Sequence, residues 1–283
     1  LTSTSTNQRL SDVSGARIVL ADLSAPGPHI LLHDLVTGDT TSVTLGPTDQ
    51  NPRIDGDLVV FERGPLGAAD IVALDLATGQ ETQLSTSAAN EINAVPFGRR
   101  VVYQRHASAL APGEIVVHDI DTMAEIVLGD PLLDDRRPDT DRDIVVWDFV
   151  TASGDQEIAV HDLSTGATEI LTLAGNQRAA HVSGRVVIFD DDSSGTSDVW
   201  AYDIVSGERA LVASGTATQF LSDVSGNQIA YTTNESGNFD IGLVELSLGP
   251  VLSIAPQGGL EFGSVGVGAA QTQIVTLSHL VNG

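Results

Sequence analysis

Six positions spaced 41 to 44 residues apart read Asp12, Arg53, Val95, Asp139, His181 and Asp223. Three carboxylates, a guanidinium and an imidazole are groups that hold a cation or a polar ligand, provided that the fold gathers them about one axis. The next residue along is Val13, Ile54, Pro96, Thr140, Val182 or Val224. Neighbours in an extended chain point to opposite faces, so an apolar column beside a polar one predicts strands with one face in a core and the other in water. Asp12 and Asp223 are the pair to consider for acid–base work on a glycosidic bond, which needs two carboxyls roughly 5–9.5 Å apart. Neither stands in a context that marks it as the acid. A solvated channel accommodates the same polar column without any ligand.

Other stretches carry fewer alternatives. Asp190-Asp191-Asp192-Ser193-Ser194-Gly195 places oxygens at the first, third and fifth positions and glycine at the sixth. A calcium loop would continue to a glutamate at the twelfth position, where Ala201 stands instead, so Asp190 and Asp192 are metal candidates competing with a solvated acidic hairpin. Asp134-Asp135-Arg136-Arg137-Pro138-Asp139 reads as an entry loop to the same polar column, with Arg137 as a further ligand candidate. His33, His118 and His161 occupy equivalent places in three repeats, which is repeat grammar rather than a metal cluster. No Gly-x-Ser-x-Gly elbow, His-Glu-x-x-His helix or phosphate-binding loop occurs in the sequence.

Composition narrows the function classes. The 283 residues carry 38 acidic and 13 basic side chains for a formal charge of −25, and every base is arginine. Such a surface repels phosphate backbones and anionic lipid, so nucleic acid is not an expected partner. No apolar run approaches the roughly 18–20 residues that span a bilayer as a helix. The absence of cysteine removes disulfides, thiolate metal sites and a cysteine nucleophile, and is compatible with secretion. The chain begins at Leu1, from which an upstream segment, removed or not included, is expected.

The elements that must position the polar column are legible as a repeat. "HDLVTGD", "LDLATGQ", "HDLSTGA" and "YDIVSGE" share one pattern, in which an acid stands four residues before a glycine; "HDIDTMA" and "VELSLGP" complete the series. An aspartate that bonds the N–H groups just ahead of it and a glycine at positive φ make a tight turn. Met123 replaces the glycine in the third unit, and a turn of different shape is expected there. Each turn follows a short strand such as "DIVAL" or "EIAVH". Upstream runs a β-branched strand reaching Leu20, Phe61, Tyr103, Trp147, Phe189 or Tyr231, five residues after an anchor that is Gly15, Gly56, Gly98, Arg142, Gly184 or Gly226. With one strand after the turn, each unit makes four strands and no helical period appears. Units of four strands repeating every forty-odd residues predict an all-β, six-bladed β-propeller of antiparallel blades, with the polar column lining its central channel. The sixth unit supplies three strands before Pro250, while "LTSTSTNQ" at the start aligns with "QLSTSAANE" at Leu84 to Glu91. Residues 1–8 are therefore expected to close blade six, which would remove open sheet edges.

The pattern acid-Ile-x-x-x-Asp-Leu-x-Thr-Gly, preceded by a strand ending in an aromatic, resembles the TolB-like β-propeller repeat. It is clearest from Asn51 to Gly79 and from Pro138 to Gly166, and departs from the usual repeat where Ser-Pro-Asp-Gly is expected. The resemblance covers roughly residues 1–249 and implies a propeller found in periplasmic binding modules, in propellers attached to peptidases and in some polysaccharide lyases. After it, residues 250–283, with Leu260-Glu261-Phe262-Gly263-Ser264-Val265-Gly266-Val267-Gly268 ahead of "TQIVTLSHL", resemble the opening strands of hydin-like or choice-of-anchor immunoglobulin-type modules. A whole sandwich needs about 100 residues, so either only its beginning or a C-terminal extension whose strands pair elsewhere is expected here. Together these resemblances imply an extracellular, cell-surface or periplasmic bacterial protein, with a monomeric propeller in a larger chain. The expected role is non-catalytic binding or scaffolding of a protein or carbohydrate partner at the channel mouth. The expected cofactor is none, or a calcium or other cation. The rival expectation is a polysaccharide-processing lyase or hydrolase using channel carboxylates.

Overall fold

The computed structural model describes residues 7–24, 27–44, 46–85 and 88–247, together with the backbone of 251–255 and 276–280; the side chains of residues 10, 11 and 221 are not described. Blade one comprises β1 (Gln8–Ser14), β2 (Arg17–Asp22), β3 (His29–Asp34) and β4 (Thr40–Ser42). Blade two is β5 (Asp49–Asp55), β6 (Leu58–Arg63), β7 (Asp70–Asp75) and β8 (Gln80–Gln83). Blade three is β9 (Asn90–Phe97), β10 (Arg100–His106), β11 (Gly113–Asp119) and β12 (Ala124–Leu128). Blade four is β13 (Asp134–Asp141), β14 (Ile144–Val150), β15 (Gln156–Asp162) and β16 (Ala167–Leu171). Blade five is β17 (Gln177–Ser183), β18 (Val186–Asp191), β19 (Asp198–Asp203) and β20 (Arg209–Ala213). Blade six has three described strands, β21 (Gln219–Ser225), β22 (Gln228–Thr233) and β23 (Asp240–Glu245). The pairings are antiparallel between consecutive strands throughout, which makes the fold an all-β six-bladed propeller. The strand expected from residues 1–8 falls almost wholly on residues outside those described. Beyond the propeller the described backbone shows β24 (Val251–Ala255) paired antiparallel with β25 (Thr276–Leu280), and the immunoglobulin-type module expected there falls mostly outside the described residues.

The turns follow the local chemistry expected of them. Asp34 Oδ1 accepts the N–H groups of Val36 and Thr37, and Asp75, Asp119, Asp162 and Asp203 repeat the arrangement. These hydrogen bonds from Thr37 and Val36 hold the Asp34 carboxyl below its ordinary pKa. The expectation of a differently shaped third turn is corrected. Met123 adopts φ 57° and donates its N–H to Asp119 O at 2.8 Å, as Gly79 does to Asp75 O at 2.7 Å. The hydrogen-bonded turn is strong enough to hold a side-chain-bearing residue in the left-handed region, at a cost of roughly 1–2 kcal/mol. Arg142 is held likewise at φ 57°, where four of the other anchors are glycines at 57° to 59°.

Cores lie between blades rather than at one centre. Val19, Ala21 and Ile30 of blade one pack with Ile54, Val59, Phe61, Val72 and Leu74 of blade two. Equivalent clusters join blades two and three, three and four, four and five, and five and six. Blades two to five thus bury both faces, which accounts for second strands that are apolar at nearly every position, such as Val186 to Phe189. The inner strands β1, β5, β9, β13, β17 and β21 stand beside one another in ring order and carry the polar column.

Candidate functional site

Every inner strand except its ends shows the same irregularity. Its register against the second strand shifts by an extra residue, and Asn51, Asn93, Arg137 and Ala179 take positive φ at that step. The shift is a bulge, which re-aims the side chains beyond it. The expectation that residues 134–139 form an entry loop is corrected here: they belong to β13, an inner strand. Asp135 turns inward beside Trp147, whose Nε1–H donates to it at 2.9 Å, while Arg136 pairs with Asp134.

The column residues bind blades together. Asp12 Oδ2 accepts the N–H of Ile54 in blade two at 2.9 Å, and Asp139 Oδ2 accepts that of Val182 in blade five at 2.8 Å. Two residues further on, Ser14 receives Gly56 N–H at 3.0 Å, Asp55 receives Gly98 N–H at 2.7 Å, and Ser183 receives Gly226 N–H at 2.9 Å. A polar side chain just before the anchors of blades one, two, four and five, namely Ser14, Asp55, Asp141 and Ser183, therefore ties one inner strand to the next.

Beyond these ties the column forms two charge pairs and a lone acid. Arg53 Nη1 stands 3.9 Å from Asp12 Oδ1, and His181 Nδ1 stands 3.4 Å from Asp139 Oδ2. Burial raises the Asp12 pKa, opposed by the Ile54 N–H and by Arg53, and the charge of Asp223 adds to the rise. For His181 burial pulls downward, but the hydrogen bond and charge of Asp139 outweigh it, with Asp223 adding, and the imidazole ends above its ordinary 6.5. Asp223 Oδ1 accepts only its neighbour's Val224 N–H at 2.9 Å among the hydrogen bonds described.

Arg137 belongs to a second ring nearer one end. Its guanidinium makes a two-toothed pair with Asp148, at 2.9 and 2.7 Å, and its side chain remains partly exposed. This ring was not anticipated. Glu62, Gln104, Asp148 and Asp190 each follow the large residue of a second strand, and all are buried. Glu62 receives Asn93 N–H, Gln104 receives Arg137 N–H and Asp148 receives Ala179 N–H, which are the bulge residues of the next blade. Burial raises the Glu62 and Asp148 carboxyls despite these bonds. The signal was present: an acid or amide directly after Phe61, Tyr103, Trp147 and Phe189, inside otherwise apolar strands.

The acidic hairpin does not gather its carboxylates. Asp190 faces Ser222 of blade six at 3.4 Å, Asp191 receives Gln177 at 2.7 Å, and Asp192 receives Asn176 N–H at 2.7 Å. Among the described residues no three His, Asp or Glu side chains are placed to hold a metal ion. The histidine column is likewise local: His33 and His161 each bond the threonine opposite in the neighbouring outer strand, both at 2.8 Å.

No protein-family model and no curated protein matches this sequence. Solved structures share its fold. An acylaminoacyl peptidase from Pyrococcus horikoshii matches over 87% of this chain and 46% of its own, with TM-score 0.65 and 14% identity. TolB from Acinetobacter baumannii matches over 80% of this chain and 65% of its own, with TM-score 0.53 and 18% identity. The tricorn protease matches over 87% of this chain and 27% of its own, with TM-score 0.57 and 14% identity. The chain spans less than half the length of these two peptidases. At such identities the likeness is one of fold, and propellers of this shape serve both a TolB protein and peptidases.

Proposed function

We propose that the chain is a non-catalytic binding or scaffolding propeller of a secreted or periplasmic protein, which takes a protein or carbohydrate partner at the mouth of its channel. The observation that carries this reading is the employment of the channel acids. Asp12 and Asp139 each hold the next blade's backbone and a cationic neighbour, so neither is a free acid or base. A catalytic carboxyl needs a proton that it can give or take at the reacting atom, and a carboxylate tied down by an inner-strand N–H is poorly suited to that. What the channel offers instead is a fixed surface of mixed charge, with Arg53, Arg137 and Asp223 as its more exposed groups.

The test is a capture experiment with the whole protein, comparing wild type with a variant combining Arg53→Ala and Asp223→Ala. Retention of a partner by wild type and its loss from the variant, with the melting temperature little changed, is the expected outcome. Turnover of any glycan in a broad cleavage screen, abolished by Asp223→Ala, would replace this reading with the polysaccharide-processing one.

A further inference from the structure

At the end of each blade where the inner strand begins, one residue from each of the first three strands stands in a row across the sheet. In blade two the row is Asp49, Arg63 and Asp70, and in blade three it is Glu91, Arg105 and Glu114, an arginine between two acids. In blade one it is Gln8, Asp22 and His29, with an imidazole opposite the acid. Blade four sets Phe149 between Asp135 and Glu157, and blade six has one acid, Asp240, after Gln219 and Thr233. Blade five departs from all of these. Its row is Gln177, Asp191 and Asp198, so that two carboxylates stand directly opposite each other. Like charges so placed on antiparallel strands repel, and this pair is also out of water, Asp191 being 2% and Asp198 6% exposed.

The oxygens of this row are not all taken. Asp191 Oδ1 accepts the Ser193 N–H at 3.0 Å and the Ser193 hydroxyl. Asp191 Oδ2 accepts Gln177 Nε2 at 2.7 Å, and the same Nε2 donates to Ala174 O at 2.9 Å. With two acceptors on its nitrogen the amide has one orientation, which leaves Gln177 Oε1 buried beside the Asp191 carboxylate without a donor. Asp198 Oδ1 is buried without one as well. Among the described residues no arginine or histidine pairs with either carboxylate; the nearby Arg178 serves Asp192, at 3.6 Å.

We propose that Asp191, Asp198 and Gln177 form a calcium site at this end of blade five. The ion would do for the two acids what Arg63 does for Asp49 in blade two and Arg105 for Glu114 in blade three. Two carboxylates and an amide carbonyl are hard oxygen ligands, which suit calcium or magnesium rather than the softer metals. Calcium accepts an irregular set of oxygens and completes its shell with water, whereas magnesium demands a near-ideal octahedron that side chains fixed on three strands are poorly placed to supply. A divalent charge offsets both carboxylates at once and gives the buried amide oxygen a partner. It also ties the first three strands of blade five to one another, and through Gln177 to the loop at Ala174.

Calorimetric titration of the chelator-treated full chain with calcium chloride, in high salt to suppress diffuse binding by the acidic surface, should find a single saturable site. Calcium should raise the melting temperature of wild type, and magnesium at the same concentration should raise it less. Asp198→Asn should lose both the site and the calcium-dependent shift, while melting no lower than wild type in chelator because the repulsion is gone. Asp198→His, which recreates the row of blade one, should fold and lose calcium likewise. Asp240→Asn, at the exposed equivalent position of blade six, should keep both responses. A wild type without a saturable site overturns the proposal. So does a calcium response that Asp198→Asn and Asp198→His retain, which would assign it to the acidic surface, and equal filling by magnesium overturns the choice of ion.

Discussion

Asp135 is an acid that the fold holds in the wrong environment for its charge. It is 2% exposed, stands at the start of an inner strand, and burial raises its pKa from 3.8 to about 7, with Asp130 and Asp134 nearby adding to the rise against the Trp147 hydrogen bond. Because the folded-state pKa lies above the unfolded one, the folded chain binds the proton more tightly. Its contribution to stability is complete below the ordinary carboxylate range and is lost as pH rises through about 7. At ~1.4 kcal/mol per pH unit the whole displacement is about 4 kcal/mol, of which ~2.5 kcal/mol falls between about pH 5 and pH 8. Asp135→Asn keeps an oxygen to accept the Trp147 N–H and has nothing to ionise. Other carboxylates titrate in both proteins, so the useful quantity is the difference between variant and wild type. Urea unfolding across that interval should show the variant gaining ~2.5 kcal/mol relative to wild type as pH rises. A difference that stays constant with pH, or a carboxyl carbon of Asp135 titrating near 4 by NMR, would refute the reasoning.

Met123→Gly should relieve the left-handed strain of the third turn and raise stability by about 1 kcal/mol in chemical denaturation; a loss would mean that the Met123 side chain makes contacts worth more than the strain. Asp139→Ala should strand the Val182 N–H and cost roughly 1–3 kcal/mol, and it should lower the His181 pKa in an NMR titration. Since His181 is raised in the folded chain, that loss should be larger below 6.5 than above it, and an equal loss at both would break the link between the two residues.

Much of the architecture was legible in the chain because a repeated unit repeats its physics. The Asp-x-x-x-Gly turns are local, and a side chain that satisfies N–H groups two and three residues ahead needs no tertiary partner. The alternation of His181 with Val182, and of Asp139 with Thr140, likewise marks one wet and one buried face of an inner strand. Where the reading failed, a tertiary contact had overridden the local one. The run 134–139 is as polar as any loop, yet Asp135 is buried by Trp147 and Arg137 is fixed by Asp148 eleven residues away, so the segment is a strand. Met123 looked like a break in the pattern because propensity ranks glycine first at positive φ, and the closed turn outweighed that preference.

The column of Asp12, Arg53, Asp139, His181 and Asp223 was visible as a set of residue types at one spacing, and the sequence alone determined that they share a column in a ring of strands. Their employment was decided by the fold. An N–H of the next blade, some forty residues on, lies within 3 Å of Asp12 and of Asp139, and periodicity along one chain cannot say which backbone group will face a side chain across a seam. Val13 and Val224 are the same residue at the same place in the repeat, and only the packing of one blade against the next makes one of them core and the other surface.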